Sequence, residues 1–444
     1  MQNLIFGTDG IRGIANKQVS ANLVFFIGKS LAVKILQNKK AKKMIIIGKD
    51  TRVSGDMLYC ALSAGLLCMG VNVVNVGLCT TPALSYLTKL KNYDYGIMIT
   101  ASHNPAEYNG IKIFNSYGTK VMPSFELELQ QILNNIDTYL PTQQIGCVYN
   151  KPELLYCYTE HIINSVNLTD LQNCKVAIDC ANGAGTNIIP YICKTLLNDC
   201  SYYNCSTDGV SINKDCGSIN TQKFISIIKD KYDIGFAFDG DADRVVVVLK
   251  NGEVLTGEVL LYVLAKYYKQ NNILKNNSIV TTVLTNIGVI SSLQKIGVTS
   301  YTVDVGDKYI MHKMQKAGTN LGVEDSGHII LNDIVPSADG LLAGLIILKI
   351  FKNINFDIPK YIAQLHLYSS IKENIKVTER QKALFNKGVL KQYIYALEKE
   401  LGGCGRLLVR SSGTECVIRI LIEGKDLVVM KDIVEKIKKR ILST

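Results

Sequence analysis

Asp94-Tyr95-Gly96-Ile97-Met98-Ile99-Thr100-Ala101-Ser102-His103-Asn104-Pro105 changes character halfway along. The first six residues are mostly apolar and β-compatible. The next six are small or polar, and Pro105 blocks easy continuation. The reading is a buried strand that empties into a loop at Ser102. Doubly wound α/β folds place ligands at such strand ends. A serine hydroxyl there is a reasonable phosphoryl acceptor if its neighbours manage charge. His103 and Lys112 are the candidates to supply that charge or to move a proton. The plainer reading of the hexapeptide alone is a turn formed by Ser102 and Asn104, with His103 on the surface.

The same strand-to-loop grammar recurs on both sides. Phe6-Gly7-Thr8-Asp9-Gly10-Ile11-Arg12-Gly13 has three glycines beside Asp9 and Arg12, which suggests a tight loop bringing a guanidinium to an anion. A helix is expected near 21–37, then a strand over 44–47 that ends in the polar loop 48–55. A helix over 57–69 and a strand over 71–76 follow. Three polar loops would thus converge on one edge of a parallel sheet. Further along, a helix is expected over 154–166, with strands over 175–179, 234–238, 279–284 and 417–422. The expected organisation is three similar mixed α/β domains, 1–150, 151–251 and 252–369. A smaller C-terminal α+β domain, 370–444, completes it.

Bulk properties narrow the function classes. The chain has 444 residues, 47% hydrophobic and 20% charged, with a net charge of +11. That composition fits sizeable cores. The basic clusters at 39–43 and 431–440 look like solvated helix faces or ends. Nucleic-acid binding would want a stripe with interleaved aromatics, which is absent. A small anionic substrate suits the excess charge equally well. Thirteen cysteines without a Cys-x-x-Cys pair, several in apolar runs (Cys60, Cys68, Cys193), point to free, buried thiols in a reducing compartment. The stretch 57–88 is uncharged, but Ser63, Gly70, Asn72 and Asn75 interrupt it, so no membrane span is read. The expectation is a soluble, cytoplasmic protein.

Asp239, Asp241 and Asp243 alternate on a Gly-containing loop after the apolar run 234–238. Three carboxylates so close repel one another, and a divalent cation is their natural partner. Oxygen-only ligands favour magnesium or calcium. An EF-hand would need Gly at 244 and Glu at 250, where Arg and Lys stand. The loop 410–414 offers Arg410, Ser412, Gly413 and Thr414, with Arg419 nearby, as a phosphate cradle. Glu324 and Ser326 carry groups able to read sugar hydroxyls. His161, His312 and His366 lie in helical contexts and read as packing or surface residues.

Five of these motifs, 6–13, 100–105, 239–244, 324–328 and 410–415, occur in the order and approximate spacing of the α-D-phosphohexomutase superfamily. The resemblance covers essentially the whole chain. The first motif, and Ala101 before the serine, look like the amino-sugar branch, which interconverts glucosamine 6-phosphate and glucosamine 1-phosphate on the way to UDP-N-acetylglucosamine and peptidoglycan. The resemblance implies four domains around a central cleft. It implies a phosphoserine at Ser102, and one magnesium ion held by that phosphate with Asp239, Asp241 and Asp243. A 1,6-bisphosphate would be both intermediate and activator. Arg12, His103 and Lys112 would position groups and move protons. Arg244, Asp307, Lys308, Glu324, Ser326 and His328 would bind the sugar. Arg410, Ser412, Gly413, Thr414 and Arg419 would hold the distal phosphate. A small sugar phosphate is the expected partner, and a homodimer stays open. Two residues depart from the pattern: Asp325 stands where Gln or Met is common, and Cys416 where Pro is common.

Three other readings remain. Phosphoglucomutase and phosphomannomutase relatives share the motifs but more often have Gly before the serine. An aspartyl-phosphate phosphatase would use Asp239 and Asp241 after a buried strand, but wants Thr or Val where Asp243 stands. A non-catalytic sugar-phosphate binder would bind without turnover.

Overall fold

A computed structural model describes residues 6–7, 10–166, 174–402, 405–412 and 416–443. Four sheets follow one another along the chain. In the first, Met44–Lys49 lies between Asn72–Leu78 and Tyr95–Ile99, all parallel, and Tyr108–Asn115 pairs antiparallel to Tyr95–Ile99. The second repeats this order. Lys175–Asp179 lies between Asp199–Tyr203 and Ile234–Phe238, and Val245–Leu249 turns back on the latter. The third does so again, with Ser278–Thr282 between Thr299–Val303 and Leu321–Val323, and Ile329–Leu331 antiparallel. Within each unit the strands therefore run second, first, third, fourth. The loop joining the third strand to the fourth carries Ser102, the aspartate trio and Glu324–His328 respectively. Three candidate loops thus occupy one topological position.

Two expectations need correcting. The first sheet is mixed, because Tyr108–Asn115 runs against its neighbours. The segment 6–13 is no simple loop either. Phe6–Gly7 and Gly10–Ile14 pair antiparallel, and the latter lies against Tyr108–Asn115. Thr8 and Asp9 lie outside the described residues.

Helices cover these sheets, and their ends follow capping chemistry. Ser20 accepts from Leu23 N–H at the start of Ala21–Leu36, and Thr80, followed by Pro82, caps Thr81–Leu90. Gly340–Asn353 is apolar nearly all round and correspondingly buried. It belongs to the third unit but packs on the second sheet, where Gly344 leaves room for the Phe236 ring. One apolar cluster thus runs from Ile46 and Phe114 through Phe236 and Phe238 to Leu345 and Phe351. The fourth sheet is antiparallel, with Val417–Gly424 between Ser369–Lys376 and Arg406–Ser411, and Leu427–Leu442 packs on it.

The cysteines among the described residues are free; Cys193 is buried as expected, but Cys60 is exposed and Cys68 only half-buried. Both lie on Gly55–Leu67 or its C-cap, whose apolar run continues past the core-facing side. No helix among the described residues is long and apolar enough to cross a membrane.

Candidate active site

Ser102 sits at the turn after Tyr95–Ile99 with φ of +51°, the left-handed region that non-glycine residues rarely adopt. Its N–H donates to Thr100 Oγ1 at 2.9 Å, and its Oγ donates to Asp239 Oδ2 at 2.5 Å. His103 Nδ1 lies 3.4 Å from the same Oγ. The first two units therefore meet at the serine.

Asp239, Asp241 and Asp243 are all buried, and one oxygen from each lies within 4.8 Å of the others. Lys112, itself buried on Tyr108–Asn115, donates to Asp241 Oδ2 at 2.5 Å and Asp243 Oδ2 at 2.7 Å. Thr81 holds Asp241 by side chain and backbone, the N–H reaching its carbonyl at 3.0 Å. Asp241 Oδ1 is buried with no hydrogen-bond partner. A buried, unpaired carboxylate oxygen facing two more carboxylates is the donor set a hard divalent cation takes. Burial, then Asp243 and Asp241, push the Asp239 carboxyl up to about 7. Burial would raise Asp243 as well, but Lys112 and His328 outweigh it and hold that carboxyl well below the usual range.

The third unit joins through His328. Its Nδ1–H donates to Glu324 Oε2 at 2.7 Å and its Nε2–H to Asp243 Oδ1 at 3.1 Å. Burial alone would lower its pKa; the charge of Asp243 and the bonds to both carboxylates raise it to about 10. The two carboxylates thus favour the charged form of His328, and the like charge of Arg244, whose Nε lies 3.2 Å from Nε2, opposes it. Ser326 Oγ donates to Glu324 Oε2 at 2.9 Å. Backbone ties reinforce the join: Arg244 and His328 form a β-bridge, and Gly340 N–H donates to Ala242 O at 3.1 Å.

Arg12 arrives from a strand, opposite Gly110; a Cβ on Gly110 would lie 3.0 Å from Arg12 Cγ and 2.8 Å from Thr100 O. Glycine there lets the arginine cross beside the serine loop. Asp307 and Lys308 are both engaged with the first unit. Asp307 pairs with Lys120 at 2.7 Å, and Lys308 Nζ donates to Glu126 Oε1 at 2.9 Å. Both join the third unit to the first. Arg410 faces Arg419 across the fourth sheet, and the charges of Asp325, Asp304 and Glu324 reach it. Asp325 also approaches Lys372 of that sheet, at 3.8 Å. Ser412 is buried, its N–H donating to Val417 O at 2.8 Å. Gly413 and Thr414 lie outside the described residues.

Sequence reasoning passed over the residues that hold the serine loop. Arg52, 1% exposed, pairs with Asp50 at 2.9 Å and donates to the carbonyls of Ser102, Asn104, Pro105 and Tyr108. Asp50 in turn accepts from Thr100 Oγ1 at 2.6 Å. The polar loop 48–55 at a strand end was the available signal.

Comparison with known proteins agrees with this arrangement. Four family models match: phosphoglucomutase/phosphomannomutase α/β/α domain I over 3–140, domain II over 157–252, domain III over 256–368, and the C-terminal domain over 373–440. The phosphoglucosamine mutase of Caldicellulosiruptor saccharolyticus is 39% identical over 427 residues, 95% of each chain. That of Ruminiclostridium cellulolyticum is 39% identical over 443 residues, 99% of this chain and 98% of its own. Among solved structures, a phosphoglucomutase/phosphomannomutase family protein from Burkholderia thailandensis superposes with a TM-score of 0.81 at 23% identity, covering 99% of this chain and 97% of its own. N-acetylphosphoglucosamine mutase from Aspergillus fumigatus, in complex with GlcNAc-6P and magnesium, gives 0.64 at 16% identity, over 98% and 94%. With all four domains matched in order and relatives aligned nearly end to end, the chain belongs to the phosphoglucomutase/phosphomannomutase family of α-D-phosphohexomutases.

Proposed function

We propose that this chain is a cytoplasmic enzyme that interconverts glucosamine 6-phosphate and glucosamine 1-phosphate. The observation that carries the chemistry is the 2.5 Å contact between Ser102 Oγ and a buried aspartate trio. The names borne by relatives at 38–39% identity support the amino sugar.

Ser102 would carry the phosphate as an ester. The P–Oγ bond breaks as a bond forms to the free sugar hydroxyl; His103 would take and return the hydroxyl proton, and the Lys112 ammonium would offset charge on the phosphoryl group. Glucosamine 1,6-bisphosphate results, turns over, and returns its other phosphate to Ser102. Asp239, Asp241, Asp243 and the serine phosphate would hold one magnesium ion, which when bound offsets charge on the phosphoryl oxygens. Arg12 and Arg244 orient that group. Glu324, Ser326 and His328 read the sugar together with Asp307 and Lys308, which the ion pairs to Lys120 and Glu126 hold against the first unit. Arg410, Ser412 and Arg419, with Gly413 and Thr414, hold the distal phosphate.

The test is a coupled assay with magnesium and a trace of bisphosphate, comparing glucosamine, glucose and mannose 6-phosphates. Preference for glucosamine 6-phosphate is expected. Higher activity on either neutral hexose would reassign the substrate, and binding without turnover would leave a sugar-phosphate binder.

A further inference from the structure

We infer that Asn213, in the second unit, is a positioning residue for phosphoryl transfer, acting with Arg52 as a two-sided clamp on the backbone of the Ser102 loop. The inference rests on the phosphoserine reading above and adds what fixes the serine in place.

Four hydrogen bonds form a closed square. Ser102 O accepts from Arg52 Nη2 at 3.0 Å and from Asn213 Nδ2 at 2.8 Å. Asn104 O accepts from the same two nitrogens, at 2.8 Å and 3.0 Å. Each nitrogen carries two hydrogens and each carbonyl two lone pairs, so the square satisfies all four groups. Arg52 comes from the first unit and is itself fixed by Asp50. Asn213 comes from the second, where its N–H donates to Ala181 O at 2.9 Å.

The surroundings keep this square closed. Thr51, beside Arg52, donates its hydroxyl to Asn182 O at 2.7 Å, a second tie between the same two units. Gly240 lies against the square. A Cβ there would come within 2.6 Å of Ser102 O and 3.0 Å of Asn213 Nδ2. Its neighbour Asp239 takes the serine Oγ. The second unit therefore grips Ser102 at both ends, side chain by Asp239 and backbone by Asn213. Ser102 holds a left-handed φ that its own side chain does not favour, so the conformation depends on such surroundings. Releasing one side of the clamp moves the transferring oxygen relative to the aspartates without touching the distal phosphate loop.

Asn213→Asp and Asn213→Gly test this. Both remove the Nδ2 donor, and both tolerate the φ of +58° at this position. Wild type and variants are compared by coupled turnover of glucosamine 6-phosphate, by calorimetric binding of glucosamine 6-phosphate to dephosphorylated protein, and by thermal unfolding. Misplacement of a reacting group predicts that kcat falls roughly ten- to a hundredfold in both variants. The Kd for glucosamine 6-phosphate should stay within about twofold of wild type. Undiminished kcat in either variant overturns the inference. So does a loss confined to binding, and so does failure of both variants to fold, which would show a purely structural residue. A wild-type protein without turnover would instead remove the proposed function, so the two failures remain distinct.

Discussion

Ser102 Oγ and Asp239 Oδ2 lie 2.5 Å apart, although 137 positions separate them in the chain. They occupy equivalent loops of two units built on the same strand order. The contact places a phosphoryl acceptor directly against a carboxylate cluster. Without a cation, Asp239 faces Asp241 and Asp243 under burial, which disfavours its charge. Asp239→Asn removes one charge and keeps the shape. In chelator, the variant should melt higher than wild type, because repulsion is relieved. With magnesium the order should reverse, and the concentration giving half-maximal activity should rise roughly tenfold or more. Thermal melts and activity against free magnesium check both arms. An unchanged magnesium requirement would mean the trio is not the metal site.

Gly240 supplies a steric prediction. The Cβ of Gly240→Ala would press on the Ser102 carbonyl at 2.6 Å and on Ile212 Cδ1 at 2.8 Å. One added methyl should cost about 1–3 kcal/mol in stability and at least tenfold in kcat, since the serine loop must shift. Unfolding midpoints and turnover measured together decide it; full activity would show that the loop yields freely.

The chemistry was more legible in the sequence than its support. Ser102, the three aspartates and Glu324–His328 announce themselves because a polar run follows an apolar one. Tyr108–Asn115 does not, because Asn109 and Lys112 make a buried strand look like a loop. Lys112 belongs there only because two carboxylates from another unit receive it. Arg52 is hidden for a related reason: its charge is balanced by Asp50, but the carbonyls that take up its other N–H groups lie some fifty residues on. The glycines of 6–13 suggested a turn, whereas Gly10 allows a strand to close on Ile111 and Lys112. The recurring strand order left no sequence repeat, since pairing order is written in connections and not in residue types.

Arg410 tests the distal site. The bisphosphate must react at both ends, so one loop holds whichever phosphate is idle. A guanidinium fork grips phosphate oxygens that a lysine meets only as a point charge. Loss of a charge-assisted contact of about 1.5–3 kcal/mol predicts that Arg410→Lys lowers kcat/KM roughly ten- to a hundredfold in each direction. More free bisphosphate should escape during turnover. Kinetics in both directions with the bisphosphate quantified provide the check, and wild-type values would place the phosphate elsewhere.

Asp339 gives a pH prediction, with Asp243 of the trio adding to its shift. It is buried, accepts from Tyr158 OH at 2.7 Å and caps Gly340–Asn353 through Leu342 N–H. Burial pushes its carboxyl up to about 6 from an ordinary 3.8. Below the ordinary value both states are protonated and no penalty arises. As pH rises above 3.8 the unfolded chain ionises first and stability falls, and the fall levels off once the folded protein also ionises above about 6. Asp339→Asn escapes this, so its stability relative to wild type should rise by about 1–1.5 kcal/mol between pH 5 and pH 8. Denaturant unfolding of both proteins across that range measures it; a pH-independent difference would show that Asp339 does not change its protonation in that window.

The most direct test of the central claim is to locate the stored phosphate. Protein treated with glucosamine 1,6-bisphosphate and magnesium would be digested and its phosphopeptide sequenced, with Ser102→Ala as control. An acid-stable phosphate is expected on Ser102, lost to solution as bisphosphate when glucosamine 6-phosphate is added, and none in the variant. An acid-labile acyl phosphate on Asp239, or labelling that persists in Ser102→Ala, would contradict it.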